Sequence, residues 1–340
     1  MNKFAHINLD NLTHNLNIFK SVSKAEVFAV VKANAYGHGD KEVSKHLDKQ
    51  GVLVLCVSSI EEALNIVEDV TADILIFGYT DIESIEKYHH PQFIYTAGSL
   101  NWINQLESLS TQVRLHIEVN TGMNRFGFKE KVDLQSALDT KHHIEGIYTH
   151  FTSSESDERV TQKQVENFKS IVHDLDYNFK YVHAGNTHGA FKNDPLFNAV
   201  RIGIGLYGWS VKDIGLKPVM SLYTQVVHVD VLHEGESVGY NQTYTTDKET
   251  YFATIPVGYA DGFDVRNHGL DVYIENQSYP IIGKVCMDQS MIEVDGRIKV
   301  GDVVELIGPN RTVGTISKHL NVIPYIIYTS VSARVKRLYK

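Results

Sequence analysis

The strongest constraint on the fold is an alternation. Eight short apolar runs, at 28–32, 52–58, 74–78, 93–96, 113–119, 146–150, 181–183 and 200–204, are separated by polar segments, most of helix length. Three of the spacers carry helix signals. Residues 40–49 place Val43 and Leu47 on one face, and 59–68 open with Ser59 and Glu62 at capping-box spacing. Residues 160–175 repeat apolar positions at Val165, Phe168, Ile171, Val172 and Leu175. Eight strand–helix units without a break predict an α/β fold, an eight-stranded parallel (β/α)8 TIM-type barrel. An open doubly wound sheet is the alternative. After Gly208 the helical period disappears. Residues 223–232 alternate, and strand-like runs follow at 251–257, 270–274, 279–294 and 303–307, punctuated by Gly262, Gly269 and Gly296. This predicts a mostly antiparallel β domain. The expected boundary lies around Pro218, giving a barrel at 6–217 and a β domain at 218–340, on which the extreme N-terminus is a candidate to pack.

Composition removes several function classes. The net charge of −9 gives no basic footprint, so neither nucleic acid nor a membrane is an expected partner. The opening MNKFAHINLDNLTHN has no signal-peptide core, and VLVLCV at 52–57 is far short of a membrane span. Two distant cysteines, Cys56 and Cys286, argue against a disulfide framework or a cysteine-rich zinc site and fit a cytoplasmic protein. The pairs His89–His90 and His142–His143 lack a spaced third ligand, so both read as surface histidines and no metal is expected.

In a parallel barrel, chemistry sits at the C-terminal strand ends and the loops after them. Lys32 and Tyr36 follow the first predicted strand, in AVVKANAYGHG. Arg125 lies in NTGMNRFGF after the fifth, and His150 ends the sixth in YTHF. Asn186 and Thr187 follow the seventh, and Arg201 and Gly203 to Gly208 lie at the eighth. A lysine desolvated at a strand mouth becomes available as nucleophile or base. The run GIGLYG matches GxGxxG, but it closes the eighth unit, whereas a dinucleotide fingerprint opens the first. It reads better as a phosphate cradle, with Thr187 supplying a hydroxyl and Gly203 a close backbone approach. A lysine, a phosphate cradle and an arginine on one rim point to pyridoxal 5'-phosphate, held covalently through Lys32. Arg201 at the ring nitrogen would keep that nitrogen unprotonated. In the β domain, EGESVGYNQTY carries Tyr240 and Tyr244, IPVGYADGF carries Tyr259, and GKVCMDQSMIEVD carries Met287 and Asp288. A tyrosine beside a cation can act as acid or base.

The motifs AVVKANAYGHG, TGMNRFGF, GIYTHF, VRIGIGLYG, TIPVGYADG and VCMDQSMIEVD, in this order, make the chain resemble the alanine racemase family over essentially its whole length. The resemblance implies a pyridoxal phosphate barrel plus β domain in a head-to-tail homodimer with shared active sites. Lys32 would hold the cofactor and act as base on one face of the substrate Cα. Tyr240, from the other subunit, would act on the opposite face, held by His150 and Arg201. Tyr36, Thr187, Gly203 and Ile204 would bind the phosphate, with Asn186 beside them. Arg125 and the Met287 backbone would meet the substrate carboxylate, next to Asp288, and Tyr259 would narrow the entrance. The implied reaction interconverts L- and D-alanine for peptidoglycan synthesis. Racemisation of serine or a broader amino-acid range on the same fold is the alternative, and Tyr259, Glu155 and Lys284 at the entrance bear on it. A decarboxylase of the related barrel type fits less well, because it gains from a protonated ring nitrogen. A non-catalytic cofactor carrier would need neither Tyr240 nor the CMDQ segment.

The sequence departs from the family pattern at three places. Glu118 and Asn120 stand where many members have a carbamylated lysine and an aspartate, which suggests a built-in carboxylate orienting Arg125. Ala333 stands where a phosphate-contacting tyrosine is common, and Glu155 where aspartate is common at the entrance.

Overall fold

The computed structural model describes residues 2–192 and 194–340. Its chain divides into two compact units, one of residues 11–35 and 40–217, the other of 1–10, 36–39 and 218–340.

The first unit is a closed eight-stranded parallel barrel. Its strands are Glu26–Val30, Val54–Val57, Asp73–Ile76, Phe93–Ala97, Arg114–Glu118, His143–Tyr148, Tyr181–His183 and Ala199–Ile202. The last pairs in parallel with the first, Phe28 opposite Arg201, which closes the ring. Strands covered on both faces need no alternation, and Val54–Val57 is buried at every position. Charged residues mark the N-terminal end. There Arg114 pairs with Asp73 at 2.6 Å and with Glu145 at 2.9 Å, joining three strands. That leaves the opposite end for chemistry.

The helix Asp40–Lys49 forms as the apolar spacing predicts, burying Val43 and Leu47. Helix Ile60–Ile66 starts at Ser59, whose side chain accepts from the Glu62 amide. The expected capping box is only half made, because the Glu62 carboxylate turns elsewhere. His142 corrects the surface reading. It is buried, its Nδ1 accepts from the Val113 amide at 3.2 Å, and its Nε2 meets the Leu106 carbonyl at 2.9 Å.

The second unit is built on a nine-stranded sheet, mostly antiparallel. Strand Lys3–Ile7 joins it, antiparallel to Met220–Gln225 and parallel to Lys336–Tyr339. Two long predicted runs are each two strands. Residues 223–232 break at Val226 and Val227, whose amides donate to Asp302 and Thr254 instead. Residues 279–294 break between Gln277–Ile282 and Ser290–Glu293, and the intervening turn carries Met287. Helical order also returns, contrary to the pattern reading, in Val313–Leu320 and Pro324–Ser330. Val313, Ile316 and Leu320 are the buried face of the first. Only two turns long, it is too brief to raise a clear period. Among the described residues, no helix is long and apolar enough to cross a membrane.

Candidate active site

The first barrel strand delivers Lys32 into a left-handed turn. Ala33, Asn34 and Ala35 have φ of 54°, 55° and 50°. For L-residues this costs roughly 1–2 kcal/mol each, so the surroundings must hold it. The Ala35 amide donates to the Val31 carbonyl at 2.8 Å. The Glu62 carboxylate accepts from the Ala33 amide at 2.7 Å and from the amide and hydroxyl of Ser58, each at 2.7 Å. Asn34 Oδ1 accepts from the Asp40 amide at 2.9 Å. Glu62 thus serves the lysine turn rather than its own helix cap. The Lys32 amine is half-buried and has no hydrogen-bond partner among the described residues. Burial, then the charge of Arg125, holds its pKa below the usual lysine range, with Glu62 partly opposing.

Arg201 is the centre of the barrel interior. Its guanidinium is buried and fixed from several sides. Nη1 donates to His183 Nδ1 at 2.7 Å, and Nη2 donates to the carbonyls of Thr149 at 2.8 Å and Ala184 at 3.2 Å. His150 Nδ1 lies 3.4 Å from Nη2. The Nε–H donates to nothing among the described residues. Burial and the neighbouring Arg201 charge push His150 down to about 3, so its imidazole is neutral. Because Nδ1 faces a donor, the proton belongs on His150 Nε2.

The same logic runs deeper. His183 accepts at Nδ1, so its Nε2–H donates to His116 Nδ1 at 2.9 Å. His116 Nε2 is then a buried N–H without a partner among the described residues. Burial drives both imidazoles down, His116 to about 3. The Tyr148 ring stacks on His183 at 4.7 Å, and the Arg201 guanidinium lies 4.8 Å from the same ring. The Tyr148 hydroxyl donates to Glu118 Oε2 at 2.9 Å. This corrects the expected role of Glu118. Its buried carboxylate is engaged by Tyr148, and no ion pair joins it to Arg125 among the described residues. Burial raises the Glu118 pKa, while Tyr148 and the two arginines pull it back. Arg125 itself is exposed.

The run after the eighth strand is a tight turn. Leu206 and Tyr207 amides donate to the Gly203 and Ile204 carbonyls at 2.9 and 3.0 Å. The leading N–H groups of such a turn have no partner within it, which suits an anion. Thr187 Oγ1 accepts from the Gly205 amide at 3.1 Å. A Cβ at Gly205 would lie 2.4 Å from the Phe19 ring and 2.8 Å from Thr187 Cγ2, so only glycine lets the turn sit on Thr187. Asn186 is spent on its own loop, where Oδ1 accepts from Gly189 N at 2.9 Å and Ser154 Oγ at 2.7 Å. Glu155 pairs with His188 at 3.2 Å. Cys56 is buried and its thiol is pushed up to about 12 by desolvation, which makes it inert.

The remaining predicted residues belong to the second unit. Tyr36 is buried with its ring 6.0 Å from Tyr325. Gly37 follows at φ 80°, where a Cβ would lie 2.1 Å from the Tyr328 carbonyl oxygen. Tyr240 opens a tight turn and is 68% exposed. Tyr259 and Met287 are 46% and 54% exposed, on two loops zipped together by the Tyr259 amide on the Cys286 carbonyl and the Ala260 amide on the Met287 carbonyl, at 3.1 and 3.0 Å. Gly258 permits that approach, since a Cβ would lie 2.2 Å from the Cys286 oxygen. The buried Asp261 carboxylate anchors the turn, accepting from the Gly258 amide at 3.1 Å and pairing with Lys3 at 2.7 Å. Asp288 is engaged by Arg334 at 2.7 Å.

The structure therefore brings Lys32, His150, Arg201, Thr187 and the 203–208 turn to one end of the barrel. Sequence reading missed Glu62, His116, Tyr148 and His183. A signal existed for one of them: His116 sits two residues before Glu118 in LHIE, a period-2 polar pair inside an apolar strand.

A (β/α)8 barrel with a desolvated lysine at one strand end and a glycine-rich tight turn at another, followed by a β domain, defines a class of two-unit barrel proteins. The comparisons place the chain within it. The family models for the alanine racemase N-terminal and C-terminal domains match residues 7–211 and 219–339. An alanine racemase from Streptococcus gordonii is 36% identical, with 98% of this chain and 95% of that one covered. The solved alanine racemase of Clostridium difficile 630 superposes with a TM-score of 0.95 at 32% identity, covering 100% of this chain and 96% of that one. An alanine racemase structure from Bartonella henselae, with covalently bound pyridoxal phosphate, gives 0.92 at 30% identity, with both chains covered at 100%. A histidine racemase from Leuconostoc mesenteroides subsp. sake gives 0.92 at 26%, covering 100% and 98%. The chain belongs to the alanine racemase family and is an amino-acid racemase, an isomerase.

Proposed function

We propose that this chain interconverts L- and D-alanine with pyridoxal 5'-phosphate as its cofactor, in the cytoplasm, supplying D-alanine for peptidoglycan. The observation that carries the reading is a desolvated Lys32 amine and a rigidly held Arg201 whose Nε–H, like that amine, has no partner among the described residues. These are the two groups the cofactor needs, at its aldehyde and its ring nitrogen. Thr187 and the amides of Gly203 and Ile204 suit its phosphate, with Tyr36 contributing its hydroxyl. When bound, pyridoxal phosphate delocalises the charge left at Cα after its proton is removed.

Each residue then has a task. Lys32 Nζ would hold the cofactor and, once the substrate amine displaces it, would take or return the proton at one face of Cα. Tyr240 Oη, from a second copy of the chain, carries a proton at the other face. His150 is neutral with its proton on Nε2, so it donates to the Tyr240 oxygen and favours the phenolate. Arg201, which stays protonated, would donate to the cofactor's ring nitrogen and limit delocalisation to what proton exchange needs. Arg125 and the Met287 backbone bind the substrate carboxylate, Asp288 steadies that segment through Arg334, and Tyr259 narrows the entrance. The exposure of Tyr240, Tyr259 and Met287 supports a homodimer with shared sites.

A second reading keeps the mechanism and widens the substrate to serine or larger amino acids, a range for which the likeness to a histidine racemase is the support. The test is racemisation by the purified, cofactor-loaded protein, from L-alanine, L-serine and L-histidine in parallel. Turnover of alanine at least tenfold above the others supports the first reading. Comparable turnover of a larger substrate replaces it with the second.

A further inference from the structure

The β unit holds a second concave site, of about 390 Å³. Its walls are mostly apolar and include Phe263, Leu306, Ile316 and Leu320, all buried, with Tyr259 and the Asp264 carboxylate, paired to Arg266 at 2.7 Å, also on the lining. Val265 and Ile326 also line it, yet they are 53% and 47% exposed, which puts apolar side chains at an open mouth. One wall residue is different in kind. Arg311 is a buried cation, only 2% exposed, and it lines this cavity. Its side-chain partners are all neutral: Nε donates to the Asp271 carbonyl at 2.8 Å, Nη1 to the Leu306 carbonyl and Nη2 to the amide oxygen of Asn267. Among the described residues it forms no ion pair. The Phe263 ring lies 5.5 Å from the guanidinium carbon. Desolvation brings the Arg311 pKa down to about 10, with Tyr273, Asp271 and Glu305 only partly opposing it.

Each half of this arrangement is costly without a ligand. A buried cation without a direct ion-pair partner is expensive, and an apolar cavity with an apolar mouth exposes surface that water disfavours. Small-molecule sites combine such walls with one or a few charged groups that fix orientation. The volume suits a small molecule at the lower end of the usual range. The one ligand chemistry that answers both halves is a monocarboxylate on an apolar tail. We infer that this cavity is a binding site for a medium-length aliphatic carboxylate, the tail lying between Phe263 and Ile316 and the carboxylate directed toward Arg311.

Sodium octanoate is the probe, titrated calorimetrically into the full cofactor-loaded chain, with hexanoate, decanoate and 1-octanol in parallel. Saturable binding of one octanoate per chain is expected. Affinity should rise about fourfold per methylene from hexanoate to octanoate, the value of burying a CH₂. Octanoate should exceed 1-octanol by about tenfold or more, the worth of a charge-assisted bond. Arg311→Gln removes the cation but also three bonds that hold the unit together, so the localising variant is Val265→Asp at the exposed mouth. It should weaken octanoate about tenfold and leave 1-octanol within about threefold. No saturable binding at millimolar octanoate, equal affinity for the alcohol, or an unchanged octanoate affinity in Val265→Asp would each overturn the inference.

Discussion

The two units present their functional side chains in opposite ways. In the barrel, Arg201 is buried and the imidazoles behind it are locked by hydrogen bonds that assign every proton. In the β unit, Tyr240, Tyr259 and Met287 are exposed. A group that must hold a cofactor in one geometry gains from being over-determined. A group that meets its substrate across an interface cannot be covered within its own chain. Under the proposed function, the contrast makes the barrel one half-site and the exposed tyrosine the complement that a second copy would supply.

The largest expected effect breaks the barrel half. Lys32→Ala should lower turnover by about 10⁴-fold or more and abolish the visible absorption of the bound cofactor. Tyr240→Phe breaks the other half: turnover should fall about 10²–10⁴-fold while that absorption stays. If Tyr240→Phe also strips the cofactor, the division of labour between the units is wrong. Glu62→Gln sharpens the comparison more gently. It weakens the clamp on the left-handed turn, so cofactor affinity measured by absorption titration should drop about tenfold, with the β unit's fold unchanged in circular dichroism.

Acid should also distinguish the units. His116, His150 and His183 bind their protons less readily folded than unfolded, with His116 and His150 lowered to about 3. The unfolded chain therefore takes up more protons, and stability is lost as pH falls through about 6.5 toward 3. Each imidazole contributes about 1.4 kcal/mol per pH unit in that window. Denaturant titrations from pH 7 to 5 read the slope, and His116→Gln should reduce it. Glu118 has the reverse sign. Its raised pKa means the folded state holds the proton more tightly, so stability falls as pH climbs above the usual carboxylate range. Glu118→Gln should stabilise the protein at pH 7, an effect absent near pH 4.

Much of this was legible in the sequence because it is written in short-range terms. Apolar runs at regular spacing made the barrel, and Gly37, Gly205 and Gly258 mark places where backbone or ring approaches too closely for a Cβ. The illegible parts depend on contacts distant in sequence. Glu62 looked like the second half of a capping box, and only folding shows its carboxylate on Ala33. Glu118 looked like a partner for Arg125, because the burial of Tyr148 beside it has no local signature. His142 looked exposed because its two partners, Val113 and Leu106, come from other segments. The helices at 313–320 and 324–330 are too short to outweigh the alternating texture around them.

The central claim is that the lysine and the tyrosine of one working site come from different copies. Complementation tests it directly. Lys32→Ala and Tyr240→Phe chains, each inactive, are mixed, dissociated in mild denaturant and reassociated with pyridoxal phosphate. Random pairing gives half mixed dimers, each with one intact site of two, so activity should return to about a quarter of wild type. Activity that stays at the sum of the two parents would place both residues in a single chain and contradict the account.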